Sequence, residues 1–411
     1  MPPGEDEASR VRGPEQLLAW AASGVPLLCG GPAGPPLVPP GNAAAVAARL
    51  GEPFGVDGAR LLSERAAFTG HRRAGRTSAG GACRLLPTAD GWAAVSCARP
   101  DDPALLGALA GAPVDGDPWP VLLPWLRDHT GAELAERAAL LGVAAGPVRA
   151  APAPPRVPRR LSPRSLKDAL VVDFSALWAG PLCAHLLGLA GARVVKVETP
   201  GRPDGARRGD GGFYDLLHAG HRSVVLDPDI PAGRRALAGL VDAADIVIEA
   251  SRPRALARFG LDAGAAVASG TTWVSITAYG RDEDRVGFGD DVAAAGGLVC
   301  RDEQGAPLFC GDAIADPLTG LVAAALAATA PPDGAGVLWD VSMCDVVAAT
   351  LPPGDPSPSP RAVRHGGSWL IDTGDGTVPV TGPARREPAG AAPAMGRHTA
   401  EVLAALAIPV P

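Results

Sequence analysis

Between residues 166 and 350 the apolar positions fall into short blocks whose period switches between that of a strand and that of a helix. Leu170-Val-Val-Asp-Phe174 reads as a short buried strand, 181–190 as a helix, and Arg193-Val-Val-Lys-Val-Glu198 as a second strand. Residues 222–227, 244–249 and 272–277 supply three more strands with helical stretches between them. That alternation predicts an α/β fold, a doubly wound parallel sheet of Rossmann-like type. The smoothest apolar run, 321–328, predicts a buried helix, and Asp316-Pro-Leu-Thr-Gly320 leads into it. Asp suits a helix N-cap, Pro suits the first helical position, and the unpaired N–H groups there favour an ionised carboxylate. These residues alone leave Asp316 open between a structural cap and a reactive anion.

Outside this block the pattern is less regular. Residues 84–96 read as two strands around the Asp90-Gly91 turn, and 119–141 as one helix ending at Gly142, so 76–150 is expected to form a small α+β domain. The Pro/Arg-rich stretch within 151–165 and the Pro-rich stretch within 351–365 read as linkers flanking the large domain, 166–350. The tail, 366–411, carries a strand pair within 369–380 and a closing helix at 399–406. An internal echo joins Ala22-Ser-Gly-Val and Gly34-Pro-Pro-Leu37 to Ala295-Gly-Gly-Leu and Gly305-Ala-Pro-Leu308; it suggests that 1–75 is a degenerate copy of the large domain without its Asp.

Composition narrows the chemistry. The chain has 411 residues, enough for two or three domains; it is 47% hydrophobic but only 4% aromatic, so its cores must be packed from Ala, Val and Leu. A net charge of -7 argues against a nucleic-acid partner. The seven cysteines are scattered without CxxC spacing, which indicates neither a disulfide framework nor a metal site and suits a reducing cytoplasm. The polar first ten residues and the lack of a long apolar run predict no leader and no membrane span.

Taken in order, Val172-Asp-Phe-Ser, Ala179-Gly-Pro181, Gly191-Ala-Arg-Val-Val-Lys-Val-Glu-Thr-Pro200, His221-Arg-Ser-Val-Val-Leu-Asp227, Ala244-Asp-Ile-Val-Ile-Glu249, Arg258-Phe-Gly-Leu261 and Asp316-Pro-Leu-Thr-Gly320 resemble the class III CoA-transferases, the formyl-CoA and carnitine CoA-transferase type. The loop after the first strand lacks GxGxxG, so a nicotinamide dehydrogenase is not expected. The resemblance implies that Asp316, four residues before a Gly, is a nucleophile that forms an aspartyl-CoA thioester on the way from an acyl-CoA to a small carboxylic acid. Asp312 has the wrong spacing and is taken as a loop residue. Gly80 and Gly81 match the family's glycine-rich active-site loop and would cover the site and donate N–H groups to an oxyanion. Coenzyme A contacts are implied for Trp178, Ala179, Lys196, Arg222 and Arg258, with Arg202, Arg207 and Arg208 able to extend the patch. No resident metal is implied.

Three departures stand out. The small domain precedes the large one, as in a permuted or truncated tandem version; Ala250 stands where the family often has Asn, and His221 where Lys is usual. Related acyl-CoA racemases carry a His where this chain has Asp290, which argues against α-proton exchange. The remaining histidines, 71, 129, 185, 218, 365 and 398, are expected to be surface or packing residues. A catalytically idle CoA-binding or assembly subunit is the alternative to a transferase, and a homodimer is the expected assembly.

Overall fold

The computed structural model describes residues 13–149, 162–250, 253–331, 333–352 and 358–411. Its N-terminal segment is helical: α1 (Pro14–Ser23), α2 (Ala43–Gly51), α3 (Gly58–Leu61) and α4 (Glu64–Thr69). Gly24 ends α1 with φ +78, where a Cβ would run into the backbone of Pro383. No sheet strand lies among the described residues of 13–75, so this segment does not repeat the layers of the large domain. It keeps only the order helix, glycine turn, proline-rich loop, helix, and it buries Trp20, Leu61 and Leu62 in the core of the large domain.

The small α+β domain has an antiparallel sheet of β1 (Cys83–Thr88), β2 (Gly91–Ser96) and β3 (Ala145–Pro147), with β2 central. Helices α5 (Asp102–Leu109), α6 (Trp119–Asp128) and α7 (Gly131–Leu141) cover it. The single helix expected over 119–141 is two, because Thr130 and Glu133 form a reciprocal capping box that starts α7 afresh.

The large domain runs β4 (Leu170–Asp173), α8 (Ala179–Leu189), β5 (Arg193–Glu198), α9 (Gly211–His218), β6 (Arg222–Val225), α10 (Pro231–Asp242), β7 (Ile246–Glu249), α11 (Pro253–Ala257), α12 (Ala263–Ala268) and β8 (Thr272–Thr277). It continues with α13 (Gly289–Ala295), α14 (Ala315–Ala327), β9 (Val337–Ser342) and α15 (Met343–Ala348). All six strands are parallel, in the order β9-β8-β7-β4-β5-β6. Numbered along the chain this is a 3-2-1-4-5-6 doubly wound sheet, with its topological switch point between β4 and β7. Alternate residues serve opposite faces: Val171, Ile246, Ile248 and Val274 meet α8, α14 and the N-terminal helices, while Val172, Val195, Val247 and Trp273 meet α10, α12 and the tail.

The tail forms β10 (Val363–His365), β11 (Ser368–Asp372) and β12 (Thr377–Pro379), one strand more than expected, and closes with α16 (Thr399–Ala405). Before α16 it lies along edge strand β6: Ser223 N–H donates to His398 Nδ1 at 3.0 Å, and Val225 N–H to the Thr399 hydroxyl at 3.0 Å. His398 is thus an acceptor that covers a sheet edge. The linker expected at 351–365 is docked in its later part, where Val38 N–H donates to Pro360 O at 2.8 Å and Ala362 N–H to Pro36 O at 2.9 Å. Residues 353–357, and 151–161 of the other linker, lie outside the described residues.

Candidate active site

Asp316 sits at the switch point because two helices meet there. It lies in the first turn of α14, which begins at Ala315 after Ile314, so it is inside the helix and is not the N-cap that the Asp-Pro pair suggested. One turn on, Gly320 occupies the same face. A Cβ there would stand 2.7 Å from Ala179 O and 3.1 Å from Leu182 Cβ, so the missing side chain lets α14 lie directly on α8. That close approach brings the Ala179 backbone N–H to the Asp316 carboxylate. The Asp-x-x-x-Gly spacing therefore has a geometric meaning: both residues address the first turn of α8.

The pocket for the carboxylate is equally tight. A Cβ on Gly289 would overlap Asp316 Oδ2. Two non-glycine residues with left-handed backbones flank the site, Leu177 at φ 69 and Ala313 at φ 47. Such strain persists only where surroundings impose it. The loop 175–178 is imposed on by Lys196, whose buried ammonium reaches Asp204 at 2.9 Å, Asp173 at 3.7 Å and the Ser175 carbonyl. Asp204 in turn accepts the Leu177 N–H at 2.9 Å. Lys196 thus holds the loop that carries Trp178. This corrects its assignment as a coenzyme contact, since its charge is used up inside the fold.

Around Asp316 stands a cluster drawn from the whole chain. Asp312, taken from the sequence as a loop residue, is fully buried and receives Arg65 bidentately through one guanidinium edge, Nε to Oδ2 at 2.9 Å and Nη2 to Oδ1. His71 Nδ1 lies 3.2 Å from Asp312 Oδ2. Burial alone would raise the Asp312 carboxyl, but His71 and Arg65 overcome it and hold it down at about 2. The Arg65 guanidinium also lies 4.9 Å over the Trp178 ring. Asp290 accepts the Ala313 N–H at 2.8 Å and the Ser78 hydroxyl; burial and the neighbouring Asp312 charge push it up to about 6. Asp291, buried, accepts Ser96 Oγ at 2.7 Å and Phe288 N–H at 3.0 Å, and burial pushes it up to about 7.

Asp316 itself keeps partial exposure, yet its enclosure pushes the carboxyl up to about 7, with Asp290 adding to the rise and Arg65 opposing it. The helix terminus was expected to keep it fully ionised. Desolvation and like charge outweigh the terminus here.

Gly80 and Gly81 are exposed beside this cluster; the Cβ position of Gly80 is 3.4 Å from His71 Cε1 and 3.9 Å from Arg65 Nη2. Trp178 and Ala179 line it from the other side. Arg222 does not belong to it. It begins the edge strand β6, pairs with Glu401 at 3.4 Å, and lines a cavity of about 580 Å³ with His185 and His221. Arg258 is exposed after α11, beside a second cavity of about 460 Å³ bordered by Ala257, Gly260 and Glu249. Neither cavity is lined by Asp316. Of the arginines at 202, 207 and 208, Arg207 is bound to Glu198. Ala250 lies across the switch point, its Cβ 3.5 Å from the Cβ position of Gly180. Sequence reasoning missed Arg65, set Asp312 aside as a loop residue and took His71 for a surface or packing residue; Ser78 begins the glycine-rich loop that the resemblance marked, and only the fold brings Arg65 and His71 to Asp312.

A family model described as CoA-transferase family III matches residues 166–355, the stretch that holds the sheet, α8 and α14. That segment belongs to CoA-transferase family III. Within the family the chain is similar to the succinyl-CoA–D-citramalate CoA-transferase of Chloroflexus aurantiacus, 30% identical over 46% of this chain and 52% of the relative. It is also similar to the succinate–glutarate CoA-transferase of Agrobacterium fabrum, 31% identical over 47% of this chain and 54% of the relative. A solved CAIB/BAIF family protein from Brucella suis aligns over 53% of this chain and 65% of its own, at 24% identity and a TM-score of 0.43. The chain spans about half the length of the curated relatives it matches. No helix among the described residues is long and apolar enough to cross a membrane.

Proposed function

We propose that this chain is a CoA-transferase that moves coenzyme A from an acyl-CoA thioester to a small carboxylic acid through Asp316. The observation that carries the reading is the carboxylate of Asp316, partly exposed at the start of α14, fixed by the Ala179 N–H and seated against Gly289 at the switch point of a family III sheet. One carboxylate oxygen attacks the thioester carbonyl, giving a mixed anhydride and CoA thiolate. The thiolate then attacks the aspartyl carbonyl, releasing the donor acid and leaving an aspartyl-CoA thioester. The acceptor carboxylate attacks that thioester, and the returning thiolate takes the new acyl group and frees Asp316. Covalent catalysis of this kind divides one hard transfer into easier steps.

Arg65 supplies the nearby positive charge that favours the anion, and the exposed Gly80-Gly81 loop supports the reading as the part that opens to admit substrate and then covers it. The Gly80 and Gly81 N–H groups would serve the oxyanion, and Trp178 and Ala179 would border the pantetheine arm. Family likeness supports a cytoplasmic homodimer, with no metal in the transfer itself. Succinate and glutarate, named in the relatives, are the first acids to test. The full chain incubated with succinyl-CoA and glutarate, or with glutaryl-CoA and succinate, should yield a new CoA thioester by mass spectrometry; no transfer in either direction would leave an idle CoA-binding subunit.

One observation favours a second reading. The racemase His absent from position 290 has a stand-in, since His71 comes to within 3.2 Å of Asp312 beside Asp316. α-Proton exchange in deuterated water without an acceptor acid would support that reading over transfer.

A further inference from the structure

Three thiols that the sequence scatters come together in the core. The sulfur atoms of Cys29, Cys300 and Cys310 all lie within 4.8 Å of one another, and all three residues are buried. Each comes from a different piece of backbone. Cys29 follows the short 3₁₀ turn Val25–Leu28, Cys300 opens a hairpin strand paired with Leu308, and Cys310 lies in the loop that leads through Asp312 to α14. We propose that Cys29, Cys300 and Cys310 form a binding site for one thiophilic divalent ion of the zinc type, separate from the Asp316 centre and independent of the transferase reading.

Geometry and charge both favour this. Sulfurs around a zinc-sized ion stand about 2.3 Å from the metal, which puts them roughly 4 Å from one another, so the cluster needs only a small contraction. Thiolate ligands select soft ions of this class. Arg73 braces the Cys29 loop, donating to the carbonyls of Gly31 at 3.0 Å, Leu27 at 3.3 Å and Gly34 at 2.8 Å. Its guanidinium is close enough to interact with Cys29. Three thiolates, one divalent cation and one guanidinium sum to zero charge, which a buried site requires. Without the ion, burial opposes ionisation of the Cys29 and Cys310 thiols. On binding, each S–H gives its proton to solvent as an S–metal bond forms, and no electron changes hands. The ion would tie the N-terminal segment to the loop that presents Asp312.

The test uses the full chain in two preparations, one made in zinc-supplemented medium and one refolded from denaturant with zinc, so that slow entry into a closed core does not decide the result. The proposal expects about one zinc per chain and an X-ray absorption spectrum with three sulfurs at about 2.3 Å. Cys29→Ala, Cys300→Ala and Cys310→Ala should each lower the zinc content at least about tenfold. Cys97→Ala, removing a partly exposed thiol outside the cluster, should leave it unchanged. Zinc absent from both preparations, zinc lost in Cys97→Ala but kept in Cys29→Ala, or a wild-type spectrum with fewer than three sulfurs overturns the proposal. The spectrum decides alone if an alanine variant fails to fold.

Discussion

Arg65 and Asp312 are 247 residues apart in sequence and form one of the contacts by which the N-terminal segment reaches the loop before Asp316. Replacing Arg65 with Met leaves a fully buried carboxylate with His71 as its remaining partner. Breaking a buried pair from one side costs about 3–5 kcal/mol, and the 26% exposure of the Arg65 side chain places this case near the lower figure, about 3 kcal/mol. Asp312→Asn frees a guanidinium that can turn toward solvent, so its loss is about 1–3 kcal/mol. The double variant leaves neither charge stranded in that pair and should be more stable than the sum of the single losses by about 2 kcal/mol. Urea unfolding of the wild type, both single variants and the double variant measures this, provided the slopes agree. A coupling below about 0.5 kcal/mol would mean that the segment does not complete the site through this pair.

Further outcomes follow from the same geometry. Asp291 rises from 3.8 to about 7, so it contributes stability below pH 3.8 that is lost as pH climbs through about 7. That shift of about three units corresponds to about 4 kcal/mol, so Asp291→Asn should match the wild type in urea near pH 4 and exceed it by up to about that amount at pH 8; a pH-independent difference would contradict the burial argument. Gly320→Ala must push α8 and α14 apart at Ala179 O, costing about 1–3 kcal/mol by overpacking and lowering acyl transfer; full activity would show that the close approach is dispensable. On the proposed mechanism Asp316 attacks as an anion, so its modification rate should rise about tenfold per pH unit below about 7 and level off above it, and Arg65→Met should move that midpoint upward. A rate flat from pH 5 to 8 would place the reactive group elsewhere.

Much of the large domain was legible because its strands are short apolar blocks between turns. Residues 193–198 and 272–277 were placed to the residue, and the others within one or two positions at each end. Strand β9 escaped notice because Val337, Leu338 and Trp339 are only partly buried and follow a glycine-rich turn. The doublet at 119–141 was missed because apolar periodicity continues across a capping box. In the site, Asp316 and Gly320 were readable through the family resemblance, whose Asp-x-x-x-Gly spacing they match; the residues alone left Asp316 open between a cap and a reactive anion. Arg65, His71 and Asp312 were not, because an ion pair across 247 residues leaves no local pattern. Lys196 was misassigned for a related reason: spacing locates a side chain on a strand but does not say which carboxylates surround it.

The most direct test is chemical trapping at a single residue. The full chain is incubated with acyl-CoA, treated with hydroxylamine or borohydride, and its peptides are examined by mass spectrometry. The mechanism predicts modification of Asp316, none in Asp316→Asn, and none at Asp312 in the wild type. An unmodified Asp316 in a protein that transfers CoA, or normal turnover by Asp316→Asn, would contradict it.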